Sequence, residues 1–378
     1  MIINNVKLVL EDEVVNGSLE VQDGRISAFA ESQSRLAEAI DGEGGWLLPG
    51  LIELHTDNLD KFFTPRPKVN WPAHSAMSSH DALMVASGIT TVLDAVAIGD
   101  VRDGGDRLEN LEKMINAVEE TQKRGLNRAE HRLHLRCELP HHTTLPLFEK
   151  LVGREPVSMG SLMDHSPGQR QYADRSKYRD YYQGKYHLTN EEMDKFEEEQ
   201  MALAAAWSQP NRQRIAAICR ERNIALASHD DATCEHVLES RQLGSVIAEF
   251  PTTIAAAQAS RQHGMNVLMG APNIVRGGSH SGNVAAHHLA ASGLLDILSS
   301  DYYPASLLDA AFRIADDEGN AFTLAQAIRL VSKNPAQALG LHDRGEIAEG
   351  KRADLVLARR HGEHIHIDHV WRQGKRVF

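Results

Sequence analysis

The sequence predicts an α/β fold: a (β/α)₈ barrel of the TIM type with a small β-sandwich domain built from both termini. Three observations predict it. Eight short apolar runs follow one another through the middle of the chain. Helical stretches separate most of them, as expected for parallel strands buried on both faces. Both ends of the chain instead alternate apolar and polar residues around glycines, which is typical of antiparallel strands.

A doubly wound open sheet is the alternative, but no G-x-G-x-x-G follows the first barrel strand. The eight candidate strands are WLLPGLIELH, TTVLDAVA, HRLHLRCEL, VSMGSLMDH, IALASHD, SVIAEF, NVLMGAP and LLDILSSD. One predicted helix covers residues 106–127, with Leu108, Leu111, Ile115 and Val118 on one face and a stop at Gly125. Another is PNRQRIAAICRER, which Pro210 is expected to open.

The composition narrows the class of protein. The 378 residues are 42% hydrophobic and 24% charged, as in ordinary globular proteins. A net charge of −12 argues against a nucleic-acid partner, and no run reaches the ~20 apolar residues of a membrane span. Three scattered cysteines and a start without an export signal predict a cytoplasmic protein. The composition is compatible with a homo-oligomer but does not predict one.

Both termini are expected to form one small sheet. IINNVKLVL and SLEVQDGRISAFA break at Asn16-Gly17 and at Asp23-Gly24, which are hairpin signals. The C-terminal end shows the same alternation around glycine, in ADLVLARR and HIHIDHVWRQGKRVF. The predicted domains are therefore 1–47 and 341–378 for the two parts of the small β domain, and 48–340 for the barrel.

The alternation of strands and helices is interrupted at residues 169–210. This segment is too long for an ordinary loop. They hold five of the seven tyrosines and several basic residues. The segment is interpreted as a lid that closes over substrate. A solvated helical excursion or an oligomer contact is an equally open interpretation.

Imidazoles and carboxylates recur where the predicted strands end. In a barrel, the carboxyl ends of the strands carry the active-site groups. Three histidines and three carboxylates suit Zn²⁺, Mn²⁺ or Fe²⁺, and such a number suits two ions about 3.5–4 Å apart. A lone His or Asp at a strand end is more often a cap or a turn former, but the recurrence favours a metal site. The strand-end residues are His55 and Asp57, Glu138, His165, His229 with Asp230 and Asp231, and Asp301.

Several strings resemble the amidohydrolase superfamily of metal-dependent hydrolases. LLPGLIELHTD is similar to its opening signature, SGITTVLD to its second-strand motif, and KNPAQALGL and GEIAEGKRADLVLA to its C-terminal run. The resemblance implies a metallohydrolase barrel whose metal ligands are His55, Asp57, Glu138, His165, His229 and Asp301. It also implies that Glu138 bridges two divalent ions, Zn²⁺ above all, and that Asp301 is the catalytic base.

The chain departs from the superfamily pattern in two places. Asp57 stands where a histidine is commoner, although dipeptidase-like members share this feature. His165 and His229 fall on the fourth and fifth predicted strands, whereas the superfamily usually places these ligands on the fifth and sixth. This leaves His165 as the less secure of the two histidines.

Four longer strings point to a narrower branch: HTDNLDKFFTPRP, MDHSPGQRQ, GAPNIVRGGSHSGN and SSDYYPASLL. They resemble a diphosphatase family of the bacterial carbon–phosphorus lyase pathway. The resemblance implies hydrolysis of an anionic ribose triphosphate, a phosphonate-pathway substrate, to a 5-phosphate and diphosphate. Basic residues and a Gly-rich loop are available to bind its phosphates: Lys61, Arg66, Arg276, Ser279 and His280.

Two other functions remain open at this level. The first is a hydrolase of a cyclic amide, a dipeptide or an amino-substituted ring on the same barrel, which a metal cage alone does not exclude. The cations after the first and seventh strands favour phosphate over these substrates. The second is a barrel that binds or assembles without turnover, against which the complete set of ligand types argues.

Overall fold

The computed structural model describes residues 1–99, 106–279 and 282–378, and it describes the backbone but not the side chains of residues 106–109. Two β-sheets make up its framework. One is parallel and carries the strand ends discussed above, and the other is built from the two ends of the chain.

Each of the eight predicted runs contains a barrel strand, but the first run was predicted too long, because its residues Trp46–Pro49 form a strand of the terminal sheet. They are β6 (Leu51–Thr56), β7 (Ile89–Ile98), β8 (Glu130–Glu138), β9 (Val157–Met163), β10 (Ala225–His229), β11 (Ile247–Glu249), β12 (Asn266–Gly270) and β13 (Ile297–Ser299). Their order in the sheet follows the chain order, from β6 to β13.

The parallel sheet closes between its first and last strands. The backbone N–H of Asp57 donates to the oxygen of Asp301, and the N–H of Asp301 donates to the oxygen of His55, both at 3.1 Å. The predicted (β/α)₈ barrel is thereby confirmed. His165 and His229 do follow the fourth and fifth barrel strands, β9 and β10, so the strand count from the sequence was right.

Helices follow most of the strands. They are α1 (Asn58–Phe63), α2 (Ala73–Ala86), α3 (Asp106–Lys123), α4 (Thr144–Leu151), α5 (Arg175–Tyr186), α6 (Asn190–Glu221), α7 (Cys234–Gln242), α8 (Ile254–Gln262), α9 (Ala271–Arg276), α10 (Ala286–Ala291), α11 (Ser306–Asp316), α12 (Leu324–Arg329) and α13 (Lys333–Ala338). In α3 the predicted apolar face is buried at Leu111, Ile115 and Val118, while the side chain of Leu108 lies outside the described part. Among the described residues, no helix is long and apolar enough to cross a bilayer.

The terminal sheet combines strands from both ends, as predicted. It contains β1 (Ile2–Val9), β2 (Val14–Gln22), β3 (Arg25–Ala30), β4 (Ile40–Asp41), β5 (Trp46–Pro49), β14 (Leu355–His361), β15 (His364–Arg372) and β16 (Lys375–Arg376). Strand β5 joins the two ends, because it pairs with β1 on one side and with β14 on the other. The domain boundaries at residues 47/48 and 340/341 stay a prediction.

One predicted hairpin turn in this sheet was wrong. Asp23-Gly24 does form the β2–β3 turn, with positive φ at both residues. Asn16-Gly17 lies inside β2 instead. Gly17 is needed there for a close approach of two strands, since a Cβ at that position would stand 1.8 Å from the Ala30 carbonyl oxygen.

By its internal contacts the chain forms two compact units. The first comprises Met1–Asp94, Asn116–Arg132 and Leu268–Phe378, and the second comprises Ala95–Ile115 and Leu133–Val267. The first unit carries the terminal sheet with β6 and β13. The second carries β9, β10 and β11, and it also contains residues 169–210.

Residues 169–210 are folded into helices. A 3₁₀ turn covers Arg170–Tyr172, and α5 and the first part of α6 follow. Tyr178, Tyr182, Met193 and Phe196 are buried together in a small apolar core. The segment thus has helices and a small core of its own, and its role as a lid stays a prediction.

The predicted helix start at Pro210 was wrong, because Pro210 lies inside α6. That helix begins twenty residues earlier, at Asn190, and a capping box between Thr189 and Glu192 satisfies its first backbone N–H groups. The C-terminal half of α6 is held by buried residues such as Ile215 and Cys219. This burial offsets the cost of a proline inside a helix.

A buried network of histidines and aspartates joins α2 to β7 and β8. Asp94 on β7 contacts His80 Nε2 at 2.6 Å and His131 Nδ1 at 2.7 Å. Asp81 on α2 lies 3.0 Å from the other ring nitrogen of His131, and it accepts the backbone N–H of Arg128 at 2.9 Å. These side chains are at most 1% exposed, apart from Arg128. The network therefore fixes α2 against the barrel wall.

His131 is the positive member of this network, because both of its ring nitrogens face carboxylate oxygens and both must carry protons. Burial alone would lower the pKa of His131, but the charges of Asp94 and Asp81 and their hydrogen bonds raise it to about 9. His80, Asp94 and His131 could by composition hold a metal ion. Contacts of 2.6 and 2.7 Å are hydrogen-bond distances, so in this structure the two histidines pair directly with Asp94.

The network predicts a pH-dependent stability. A pKa raised from 6.5 to about 9 on folding gives stability that is complete below pH 6.5 and lost as the pH rises to about 9. Asp94→Asn should lower the free energy of unfolding by ~3–5 kcal/mol, because it leaves a buried charge unpaired. It should also reduce the fall in stability across this pH range. Urea unfolding at both ends of the range measures the two effects.

Glu120→Gln is the matched control. It breaks a His74–Glu120 contact of 3.1 Å in which both side chains are about half exposed. Solvent screens an exposed pair of this kind, so its loss should barely change the stability. Equal effects of the two substitutions would show that the buried network contributes no more to the free energy of unfolding than an exposed ion pair does.

Candidate active site

The first group of predicted ligands, His55, Asp57 and Asp301, comes together in the first unit. His55 ends the buried strand β6, Asp57 precedes α1, and Asp301 follows β13. One ligand atom from each residue lies within 4.8 Å of the others, and His55 Nε2 is 3.6 Å from Asp57 Oδ1. His55 is 1% exposed while both aspartates are partly open to solvent. The group therefore offers one imidazole and two carboxylates at an accessible strand end.

A buried glutamate holds this first group in place. The Glu53 carboxylate accepts the backbone N–H of His55 at 2.7 Å and that of Ser300 at 2.6 Å. Burial raises the pKa of Glu53 to about 7, although the bonds from Ser300 and His55 act in the opposite direction. Because His55 and Ser300 belong to opposite sides of the barrel closure, one side chain fixes both of them. The sequence analysis missed Glu53, although its place two residues before His55 puts it on the same face of β6.

The second group lies in the second unit and consists of Glu138, His165, His229 and Asp230. His165 Nδ1 is 2.7 Å from Glu138 Oε1, and its Nε2 is 3.6 Å from Asp230 Oδ2. His229 Nδ1 approaches the same Asp230 oxygen at 2.9 Å. His165, His229 and Asp230 have ligand atoms within 4.8 Å of one another. The structure thus brings three predicted ligands together and adds Asp230, which the sequence placed at this strand end but not among the ligands.

Charge pairing dominates this second group. Burial alone would lower the pKa of His165, but Glu138 and Asp230 raise it to about 10. Burial would raise the pKa values of these two carboxyls, yet the histidines hold both below the usual range. The carboxylates thus require a positive charge beside them, which a protonated imidazole supplies here. A divalent cation would supply the same charge, and histidine with carboxylate is a donor set that Zn²⁺, Mn²⁺ and Fe²⁺ accept.

Two buried arginines secure the surroundings of the second group. Arg170, in the 3₁₀ turn, forms an ion pair with Asp231, and Arg212 on α6 lies 3.7 Å from Asp164. Asp164 and Asp231 each adjoin one member of the group in sequence. The Tyr172 ring then packs edge-on against the His165 ring with centroids 6.2 Å apart. The start of the 169–210 segment is therefore fixed beside these strand ends.

Two of the basic residues predicted to bind substrate converge on Tyr302. The Lys61 ammonium donates to the backbone oxygen of Tyr302 at 3.2 Å and lies 5.9 Å from the centre of its ring. The Arg276 guanidinium donates to the Tyr302 hydroxyl at 3.5 Å. Tyr302 directly follows Asp301, so the two cations border the strand end that carries this carboxylate. Tyr302 lies within the motif SSDYYPASLL, but the sequence alone predicts no role for it.

The other predicted substrate-binding residues are not brought to this point by a described contact. Arg66 is exposed and forms a short β-bridge with Val69. Ser279 is half-buried, three residues beyond Arg276. His280 lies outside the described residues. The roles of all three stay predictions.

Comparison with known proteins shows to which protein family the chain belongs. Residues 82–378 match the model of the amidohydrolase family. The chain belongs to this family and is a hydrolytic enzyme. The family and the His/Asp clusters together support a divalent metal as its cofactor.

One relative covers the whole chain. The chain is 84% identical over 378 residues to the α-D-ribose 1-methylphosphonate 5-triphosphate diphosphatase of Escherichia coli (strain K12), covering all of both sequences. It is also 51% identical over 51 residues to an adenine deaminase of Ligilactobacillus salivarius, but this match covers only 13% of the chain and 8% of the relative.

Several solved structures share the fold at low sequence identity. N-acetyl-D-glucosamine-6-phosphate deacetylase from Mycobacterium smegmatis aligns with a TM-score of 0.64 at 16% identity, over the whole of both chains. N-isopropylammelide isopropylaminohydrolase from Burkholderia multivorans aligns at 0.62 and 17% identity, over 99% of this chain and 97% of that one. These matches support the fold alone.

The second group predicts a loss of metal on substitution of His229. His229→Ala removes one imidazole from a set of four side chains, so the purified protein should contain less divalent metal and turn over more slowly. Elemental analysis after exhaustive dialysis, together with a rate measured at saturating metal, checks this.

His263→Ala serves as the control, because His263 is an exposed histidine at the end of α8. It should keep the metal content and the rate of the unmodified protein. A His229→Ala protein with full metal occupancy and full rate would remove His229 from the site.

Proposed function

We propose that the chain hydrolyses α-D-ribose 1-methylphosphonate 5-triphosphate to α-D-ribose 1-methylphosphonate 5-phosphate and diphosphate, in phosphonate catabolism. The substrate is taken from the full-length relative at 84% identity. The structural observation that carries the proposal is the convergence of Lys61 and Arg276 on the residue after Asp301. A candidate metal group bordered by two cations suits a triphosphate ester, because its phosphates need both charge neutralisation and polarisation.

We propose six residues as ligands of a binuclear centre: His55, Asp57, Glu138, His165, His229 and Asp301. Parallel strands of one barrel carry them at their carboxyl ends, where such sites are built. Zn²⁺ is the proposed metal, with Mn²⁺ or Fe²⁺ as alternatives. Asp230 joins the set as a further carboxylate, because it lies within 2.9 Å of His229.

The chain's own groups then have definite tasks. Bound divalent ions supply Lewis-acid polarisation of a phosphoryl oxygen and a lowered pKa for water. Asp301 accepts the proton of the attacking water and passes it on. Lys61 and Arg276 bind oxygens of the departing diphosphate and neutralise the charge that it gains. Glu53 keeps His55 and Asp301 in register during the reaction.

The rival substrates carry no phosphate. A cyclic amide, a dipeptide or an amino-substituted ring would leave the Lys61–Tyr302–Arg276 arrangement without a phosphate group to bind. The short match to an adenine deaminase covers too little of either chain to favour that chemistry. A barrel without turnover is set aside, because the chain is a hydrolytic enzyme of the amidohydrolase family.

The cellular setting remains part of the proposal. Cys137, Cys219 and Cys234 are free thiols, which supports a reducing cytoplasm. The partner is a small anionic substrate. A homo-oligomer, and the absence of nucleic-acid and membrane partners, stay predictions from the composition.

Asp301→Asn tests the proposed base. The alternative role of a helix cap loses support, because Ala305 occupies the N-cap position of α11. The amide keeps the shape of the side chain but cannot accept a proton. We expect a folded protein whose diphosphate release from the ribose triphosphate is slower by at least ~100-fold. The rate is measured at saturating metal and substrate.

Asp317→Asn, at an exposed aspartate after α11, should leave the rate unchanged. If the Asp301→Asn enzyme stays within a few-fold of the unmodified rate, Asp301 is not the base. Asp230 or Asp231 would then be tested in its place.

A further inference from the structure

We propose that Tyr302 makes the anion site beside Asp301 selective for linked phosphates over a single phosphate. In this proposal Tyr302 holds Lys61 and Arg276 at its two ends and adds its own hydroxyl as a donor. The ligand class is a diphosphate unit, which corresponds to the leaving group of the reaction. The inference rests on the proposed function only for the identity of that leaving group.

The spacing of the two cations is the first argument. Lys61 is bound at the main-chain end of Tyr302, at 3.2 Å from its carbonyl oxygen. Arg276 is bound at the far end of the side chain, at 3.5 Å from the hydroxyl. Tyr302 therefore contacts two like charges at different atoms, one on its main chain and one at the end of its side chain. Charges arranged in this way match an extended polyanion better than a compact one.

The chemistry of the hydroxyl is the second argument. A phenol has one proton to donate and lone pairs to accept with. Since Arg276 donates to this oxygen, the tyrosine's own proton is available to a third group. Tyr302 is 36% exposed, so a ligand can reach it. A phosphoryl oxygen placed there would accept from both Tyr302 and Arg276, and hydrogen bonds to a charged acceptor are the strong ones.

The anchoring of Tyr302 is the third argument. Asp301, the residue before it, is fixed by backbone bonds to His55 and Asp57 at 3.1 Å. The Asn58 amide lies 3.4 Å from the Asp301 oxygen, and its own oxygen accepts from Lys61 at 3.4 Å. Lys61 and Tyr302 thus share one anchor next to the first ligand group. A preformed arrangement of donors reduces the entropy cost of binding.

Tyr303 offers a matched control one residue further on. It is 61% exposed, and its backbone oxygen accepts from the amide of Ser306 at 2.9 Å, a bond that the side chain does not make. Tyr303→Phe removes the same hydroxyl group from the same stretch of chain. Only its position relative to Lys61 and Arg276 differs.

The experiment compares Tyr302→Phe and Tyr303→Phe with the unmodified full-length protein, all loaded with metal. Calorimetry measures the dissociation constants of inorganic diphosphate and of inorganic phosphate. Tyr302→Phe should weaken diphosphate binding by about tenfold or more, as expected for a lost hydrogen bond to a charged group. It should change phosphate binding much less. KM for the ribose triphosphate should rise more than kcat falls, and Tyr303→Phe should change none of these values.

Equal thermal unfolding and equal metal content of the two variants establish that both are folded and loaded. The proposal is overturned if Tyr302→Phe binds diphosphate within about twofold of the unmodified protein, a change too small for a lost charged hydrogen bond. It is also overturned if phosphate and diphosphate weaken equally, if Tyr303→Phe has the same effect, or if the unmodified protein binds no diphosphate. If diphosphate binding depends on Tyr302 but the ribose triphosphate is not cleaved, the proposed function falls and the linked-phosphate site stands.

Discussion

The closure of the barrel between β6 and β13 is the constraint on which the first ligand group depends. Two backbone hydrogen bonds join Asp301 to His55 and Asp57, and the Glu53 carboxylate binds the N–H groups of His55 and Ser300. The bonds that close the sheet are therefore the bonds that place the group. A shift of one residue in this register would turn His55 away from the barrel interior, since side chains alternate along a strand. Fold and site are here specified by the same few atoms.

A carboxylate in the middle of such a closure has an energetic cost, and the structure shows why it is retained. Glu53 is fully buried, and burial raises its pKa to about 7. An apolar residue at this position would avoid that desolvation, but it would leave two buried N–H groups without their acceptor. Each unsatisfied group costs ~1–3 kcal/mol. The polar side chain is thus the less costly solution where two strand ends meet without a regular ladder.

The sequence predicted the parts of the fold that depend on local pattern, and it failed where distant contacts decide. The barrel strands could be predicted because parallel strands buried on both faces are mostly apolar. Strand β6 is buried at every residue and β7 at nearly every residue, and polar side chains interrupt both apolar runs only at a few positions. Asn16-Gly17 was misread because the need for glycine there comes from Ala30 on the neighbouring strand, not from a turn. Pro210 was misread because the cap at Thr189 and the burial of the later turns of α6 outweigh one unfavourable residue.

The residues of the candidate site divide in the same way, into those that a local sequence pattern predicts and those that depend on contacts from distant parts of the chain. His55 and His229 could be named from sequence because strand ends in a barrel have a known use. Tyr302 could not, because its contacts come from Lys61, far away in the chain, and from Arg276 on another helix. The structure adds a local feature that two of the site's aspartates share. Asp230 and Asp301 both follow a strand, and both adopt a positive φ, which aspartate tolerates better than most residues. Such backbone strain persists where surrounding bonds over-determine it, often at functional sites. An aspartate just beyond a barrel strand therefore combines a usable carboxylate with the turn that presents it.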